Sequence, residues 1–189
     1  MQSYNVSVHF AAAALEPKVT AAIWQLLLDA DQSFVPPLSA RHSSTQSALS
    51  TATAGEVREP RQYFETLQNQ HFILARPVDE GNGVAGFMSF RSDYTLPAGE
   101  SAAQYHYVTT VIVRPASRGQ GLTTRMYHRL MAVAKATGNG VATRTWSTNA
   151  HHIGLLTKLG FTVAHKVPND RGVGVDTVYL VKDSYNEMR

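Results

Sequence analysis

Residues 111–124 read Val-Ile-Val-Arg-Pro-Ala-Ser-Arg-Gly-Gln-Gly-Leu-Thr-Thr, and this is the stretch whose residue types and spacing could do chemistry. A β-branched run ends at Pro115, Arg118 stands ahead of Gly119, Gln120 and Gly121, and an amphipathic segment begins at Leu122. A strand that turns tightly into a helix leaves the helix's first amides unpaired, with the positive end of the helix dipole behind them. The natural guest of such a corner is an anion, above all a phosphate or diphosphate. Glycine lets the backbone come close to it. Arg118 can add a charge-assisted contact, and the Thr123 and Thr124 hydroxyls can donate further hydrogen bonds. No Lys-Ser or Lys-Thr pair follows the second glycine, as a Walker loop requires, and the third glycine of a dinucleotide fingerprint is missing.

Other chemistries find less support. The 189 residues contain no cysteine, which removes disulfides, thiolate metal sites and a thiol nucleophile together, and is compatible with a reducing compartment. His151 and His152 are neighbours on a predicted helix and point apart, and the eight histidines show no ligand spacing, so no metal is expected. The 17 Lys and Arg against 14 Asp and Glu leave a net charge of only +3 with no basic run, which argues against a nucleic-acid partner. No apolar run approaches the roughly 18 residues that span a bilayer. No Lys or Arg precedes the apolar stretch Val8 to Leu15, which therefore reads as mature structure and not as a secretory leader. The expectation is a soluble, cytoplasmic protein with no membrane partner.

The elements that must position the phosphate corner follow from periodicity. Apolar residues at three- and four-residue spacing predict a helix over Val19 to Asp31, with Pro17 or Thr20 able to begin it. Phe34-Val35-Pro36-Pro37 cannot continue that helix, and residues 32–57 then run through a segment rich in Ser, Thr and Ala. It reads equally as a surface loop or as a lid over a site. A short helix is expected over Arg58 to Gln70, strands over His71 to Ala75 and Val84 to Arg91 with a turn at Gly81-Asn82-Gly83, and a loop around Pro97-Ala98-Gly99. A long strand, Tyr105 to Val113, leads into the corner and a strong helix, Gly121 to Thr137, leads out of it. Then come a strand at Val141 to Trp146, a helix at Asn149 to Leu159, and two last strands, Thr162 to Val167 and Asp176 to Val181. With 43% hydrophobic and 16% charged residues the chain can bury a sizeable core, and the order predicts one mixed α/β domain over residues 1–189.

Arg118-Gly119-Gln120-Gly121-Leu122-Thr123 after Val111-Ile112-Val113-Arg114-Pro115 resembles the central motif of the GNAT N-acetyltransferase superfamily, with Thr123 where the family has Gly or Ala. Downstream, Asn149 followed by a helix ending Lys158-Leu159-Gly160-Phe161 matches the family's next motif at the right separation. The clear match runs from Tyr105 to Phe161. The resemblance implies an α/β fold with a twisted mixed sheet whose two central parallel strands splay to hold acetyl-coenzyme A as co-substrate. It implies a diphosphate on the amides of Gly119, Gln120, Gly121, Leu122, Thr123 and Thr124, helped by Arg118. It further implies pantetheine pairing with the backbone of Val111, Ile112 and Val113, and a contact from Asn149. The acceptor would be a primary amine of a small molecule or a protein, and a homodimer is open.

The family's usual tyrosine acid falls at Leu156 in this sequence, and its alternative strand glutamate at Tyr107. Proton handling is left to Tyr107, Tyr105, His106 or His152, each of which also reads as a packing residue. Tyr107 leads, because simple alternation puts it on the same side as Thr109, Val111 and Val113. Asp29, Asp31, Glu56 and Glu59 are candidates to attract a cationic amine, and Trp24, Phe34 and Trp146 to line an apolar acceptor pocket. An acyl-CoA-binding regulatory or interaction module that has lost catalysis is the alternative.

Overall fold

The computed structural model describes residues 2–11, 15–46, 48–49, 59–79, 83–96 and 103–183. Residues 50–58, Glu56 among them, Gly81-Asn82 and Pro97-Ala98-Gly99 lie outside them. The strands are β1 (Tyr4–His9), β2 (His71–Pro77), β3 (Gly86–Tyr94), β4 (Tyr105–Val113), β5 (Gly140–Trp146), β6 (Thr162–Val167) and β7 (Thr177–Lys182). The α-helices are α1 (Pro17–Ala30), α2 (Arg61–Leu67), α3 (Leu122–Thr137) and α4 (Ala150–Lys158). One seven-stranded sheet holds all the described strands in the order β1-β2-β3-β4-β5-β7-β6. Every neighbouring pair is antiparallel except β4 and β5. β1 was not expected from the sequence. It is an edge strand whose Tyr4, Val6 and Val8 face the core.

The two sheet faces are covered by different helices, as strand alternation dictates. Ile73, Met88, Phe90, Val141 and Leu180 pack beneath Met126, Tyr127 and Leu130 of α3 and Leu156 of α4. On the other face Phe72, Leu74, Phe87 and Ile112 meet Ile23, Leu26 and Leu27 of α1 and Tyr63 and Leu67 of α2. α3 runs between two glycines in left-handed conformation, Gly121 (φ 69°) and Gly138 (φ 73°). Gly121 is thus the residue before the helix, not its first member.

Two irregularities shape the centre of the sheet. β4 and β5 pair only from Tyr105↔Gly140 to Val108↔Thr143. Beyond that point each stays paired with its outer neighbour, Thr110 to Val113 with β3 and Arg144 to Trp146 with β7. The two parallel strands therefore part, and their inner backbone edges face a crevice. The second irregularity is a bulge. Thr110 pairs with Ser89 but Val108 pairs with Phe90, so Thr109 is an extra residue. Gln70 and Ser89 anchor its hydroxyl, and the Tyr63 hydroxyl donates to its carbonyl (3.2 Å). An extra residue inverts the alternation that follows. Val111 and Val113 accordingly pack on the α3 face, while Tyr107 sits in a separate cluster with Tyr105, Ala142, Tyr179 and Val181.

Candidate active site

A cavity of about 630 Å³ fills the crevice between β4 and β5 and runs from the start of α3 to the segment after α1. At one end lies the turn Arg118–Gly121. Gly119 (φ 75°) and Gly121 (φ 69°) hold left-handed conformations, and a Cβ built on either meets nothing within 4 Å. Glycine is needed there for the turn, and the space beside it is open. Among the described residues no side chain caps α3. The first helix amide bonded back to the turn is that of Arg125, to the Gly121 carbonyl (3.0 Å). The amides of Leu122, Thr123 and Thr124 precede it and have no intrahelical acceptor by construction. Arg118 folds back to donate to the Val113 carbonyl (3.3 Å), which holds the turn against the end of β4.

Of the residues the sequence proposes for the cofactor, Val111, Ile112, Val113, Arg118, Gly119, Gly121, Leu122, Thr123, Thr124 and Asn149 all line this cavity. Gln120 does not; its side chain is half-buried outside it. Asn149 caps α4 by accepting from the His152 amide (3.3 Å), and its own amide donates to Thr145 at the end of β5 (3.0 Å). That pair of bonds fixes Asn149 beside the crevice.

The four proton-handling candidates separate clearly. Tyr105 donates to Asp183 (2.9 Å), and burial together with that carboxylate pushes its hydroxyl up to about 12. His106 is buried against Thr137 (2.8 Å) and Ser92 (3.2 Å). Tyr107 is 1% exposed, stacks on Tyr94 with ring centroids 4.0 Å apart, and is absent from the cavity lining. Burial drives its hydroxyl far above the usual phenol range. The expected shared face with Val111 and Val113 does not exist, because the Thr109 bulge intervenes. His152 alone of the four lines the cavity. Its Nε2 is hydrogen-bonded to the Tyr127 hydroxyl (3.0 Å), and burial, then the neighbouring His151, lowers its pKa to about 4. The ring is therefore neutral at pH 7. Leu156, one helical turn further on, is fully buried and packs α4 onto the sheet.

The acceptor end differs from expectation. Asp31 faces inward, but it accepts from the Ser39 amide (2.6 Å), the Ser39 hydroxyl (2.8 Å) and Gln32 (2.7 Å), and so braces the turn at Leu38–Ala40. Asp29 accepts from Gln25 on the exposed side of α1, and Glu59 pairs with Arg61. None of the three lines the cavity. Phe34 and Trp146 do, with ring centroids 5.8 Å apart, whereas Trp24 packs on Phe64 elsewhere. Among the described residues the charged side chains at this end are Arg41, Arg144 and Arg171. They come from three distant parts of the chain, so no local spacing could have announced them. Arg144 in a predicted strand was the one available hint. Among the described residues no three metal-ligating side chains gather.

No curated protein sequence matches the chain. Solved structures match it over nearly its whole length. An N-acetyltransferase from Staphylococcus aureus Mu50 is 22% identical, with a TM-score of 0.59, over 95% of this chain and 98% of that one. The structure of yncA from Salmonella typhimurium with its cofactor acetyl-CoA is 22% identical, with a TM-score of 0.59, over 98% of this chain and 97% of that one. Arabidopsis thaliana NAA60 in complex with a bisubstrate analogue is 12% identical, with a TM-score of 0.66, over 97% of this chain and 100% of that one. At such identities the likeness speaks for the fold. The family model described as acetyltransferase (GNAT) family matches residues 40–161, well over half of the sequence and inclusive of the phosphate corner, the splayed strands and α4. The chain belongs to the GNAT acetyltransferase family.

Proposed function

We propose that the chain is a single-domain, acetyl-CoA-dependent N-acetyltransferase that acetylates a primary amine of a small molecule or a protein. The observation that carries this reading is the crevice itself: two parallel strands that stop pairing after Val108 and Thr143, with uncapped helix amides at the mouth. The residues present fit a diphosphate carried on a thin arm. Open space beside Gly119 and Gly121 admits the anion, and the inner edge of β4 over Thr110 to Ile112, no longer paired with β5, offers backbone partners to an extended chain. Bound acetyl-CoA would supply an acyl group activated as a thioester.

The protein's own part is to hold the amine against that thioester and to take its proton away. The amine nitrogen bonds to the acetyl carbon, the carbon–sulfur bond breaks, and sulfur leaves as thiolate. A thiol is acidic enough to leave without a dedicated acid, which suits a site with leucine at position 156. His152, neutral and bonded to Tyr127, is the base on the cavity wall. At a pKa of about 4 it is a weak proton acceptor, so holding the neutral amine against the thioester carries more of the rate than proton removal does.

Leu156 buried at the family's tyrosine position favours a second reading, an acyl-CoA-binding module without catalysis. Thiol release from acetyl-CoA with a panel of amines, run beside calorimetric titration with CoA, separates the two. Tight CoA binding with no amine-dependent thiol release would favour the module. No CoA binding would end both.

A further inference from the structure

The acceptor end of the cavity concentrates positive charge in a way the acetyl-transfer reading does not require. Arg41 and Arg171 are only 6% and 7% exposed, and Arg144 stands beside them on the splayed half of β5. Arg41 donates to the carbonyls of Pro36 (2.7 and 3.1 Å) and Val35 (3.3 Å). Arg171 donates to the same Val35 carbonyl (2.6 Å) and to Thr177 (2.9 Å). Two guanidiniums thus share one oxygen. Arg144 donates to the Tyr179 hydroxyl (3.3 Å) through Nη1, while its buried Nη2 has no partner among the described residues.

Three arginines carry about fifteen N–H donors between them, and these few protein acceptors satisfy a minority. Among the described residues two nearby carboxylates, Asp31 and Asp170, act on these arginines from a distance and offset only part of the charge. Asp31 is bound by Ser39 and Gln32, and Asp170 by Thr177 (2.6 Å) and the Leu49 amide (3.2 Å). Among the described residues neither lies within 4 Å of an arginine nitrogen. Burial lowers the pKa of Arg41, and burial, then the fields of Arg41 and Arg144, lowers that of Arg171 to about 9, still above pH 7. Buried cations that outnumber the carboxylates around them are costly, and a guanidinium's planar fork matches an oxyanion.

We propose that the acceptor amine carries a carboxylate, or a like oxyanion, that docks on Arg144 between Arg41 and Arg171, so that the substrate class is a small amino acid. This rests on the acetyltransferase reading and narrows it. The same positive field disfavours the ammonium form of the incoming amine and so promotes the neutral nucleophile. Phe34 and Trp146 enclose the remainder of such a molecule.

The test compares free amino acids with their amides and their decarboxylated amines, measured as thiol release from acetyl-CoA. Aminophosphonates of the same length form a further arm that tells a general oxyanion site from a carboxylate site. Calorimetric titration of the CoA-loaded protein with the same compounds gives a readout that needs no turnover. We expect kcat/KM and affinity to fall at least about a hundredfold when the carboxylate is neutralised. In Arg144→Gln that preference should shrink to within about threefold while CoA affinity is unchanged. Arg144→Lys, which keeps the charge and loses the fork, should recover only part of it. Equal or better use of decarboxylated amines, or of peptides acetylated at their N-terminus, would overturn the substrate class and leave the acetyltransferase standing. So would an unaltered preference in folded Arg144→Gln. If no compound turns over and the CoA-loaded protein binds none of the oxyanions, the proposal fails as well. Loss of CoA binding itself would instead strike the reading beneath it.

Discussion

Gly121 offers the sharpest test of where the diphosphate lies, because two substitutions there differ in a single respect. At φ 69°, any side chain costs about 1–2 kcal/mol of backbone strain, and alanine and glutamate share that cost. The Cβ of either meets no protein atom within 4 Å, so neither is expelled by packing. Glutamate adds a negative charge beside the uncapped amides of α3. For one pair of unit charges about 5 Å apart, the repulsion is about 0.8 kcal/mol if water screens it fully and about 3 kcal/mol at an effective dielectric constant near 20. A diphosphate presents more than one charge, and the carboxylate also competes for the same amides. Gly121→Glu should therefore weaken CoA about a hundredfold or more, and Gly121→Ala by no more than about threefold, with both melting at similar temperatures. Calorimetric titration with CoA reads the first quantity and a thermal melt the second. The gap between the variants should narrow at high salt. A folded Gly121→Glu protein that binds CoA like the parent would refute the placement of the anion at this corner.

Other perturbations read the scaffold and the proton path. Gly140→Ala would push a Cβ to 2.6 Å from the Tyr105 ring and 2.8 Å from the Lys182 carbonyl, at the point where β4 and β5 begin to pair. A loss of about 1–3 kcal/mol in urea denaturation is expected. Leu156→Ala should cost about 2–5 kcal/mol, since this side chain is fully buried under α4; a neutral result would mean α4 is not held by this contact. His152 supplies a pH test. Its folded pKa of about 4 lies below the ordinary 6.5, so the unfolded chain takes up the proton first as pH falls. The stability tied to the neutral ring is complete above pH 6.5 and is lost on acidification through about pH 4. At about 1.4 kcal/mol per pK unit, reduced for partial exposure, this amounts to about 2–3 kcal/mol. Denaturation of the parent and His152→Gln between pH 7 and pH 4 should show the parent losing that much more. Parallel curves would remove His152 from the neutral, Tyr127-bonded state.

The cofactor half of the cavity was legible in the sequence because its chemistry is local. Arg118 to Thr124 encodes a turn and a helix start within seven residues, and two glycines at positive φ leave little choice of conformation. The helices and inner strands were legible for a similar reason, each having a run long enough to show its period. β1 is no shorter than β6, which was legible; its alternation at Tyr4, Val6 and Val8 was masked because Val8 was read with the apolar stretch to Leu15. The acceptor half is assembled from a turn after α1, a strand and the β6–β7 connection, and no spacing rule links positions 41, 144 and 171. The carboxylates near α1 invited the opposite expectation, and Asp31 turned out to be consumed by a serine turn. Tyr107 failed as a cavity residue on one extra amino acid.

That extra amino acid joins the two halves physically. Without Thr109 as a bulge, strict alternation would place Tyr107 on the face of Val111 and Val113, beneath α3. With it, Tyr107 falls on the opposite face in the cluster of Tyr105, Ala142 and Tyr179, whose hydroxyl also accepts from Arg144. A bulge also increases local twist and bend, and it lies one residue beyond the last β4–β5 pair, Val108↔Thr143. The feature that turns the strand's side chains over thus sits at the position where the strands part. The hydroxyls that pin it, from Tyr63, Ser89 and Thr109 itself, hold the strand in that state with hydrogen bonds a regular strand would not need. The crevice is accordingly a built-in consequence of one unpaired residue in β4.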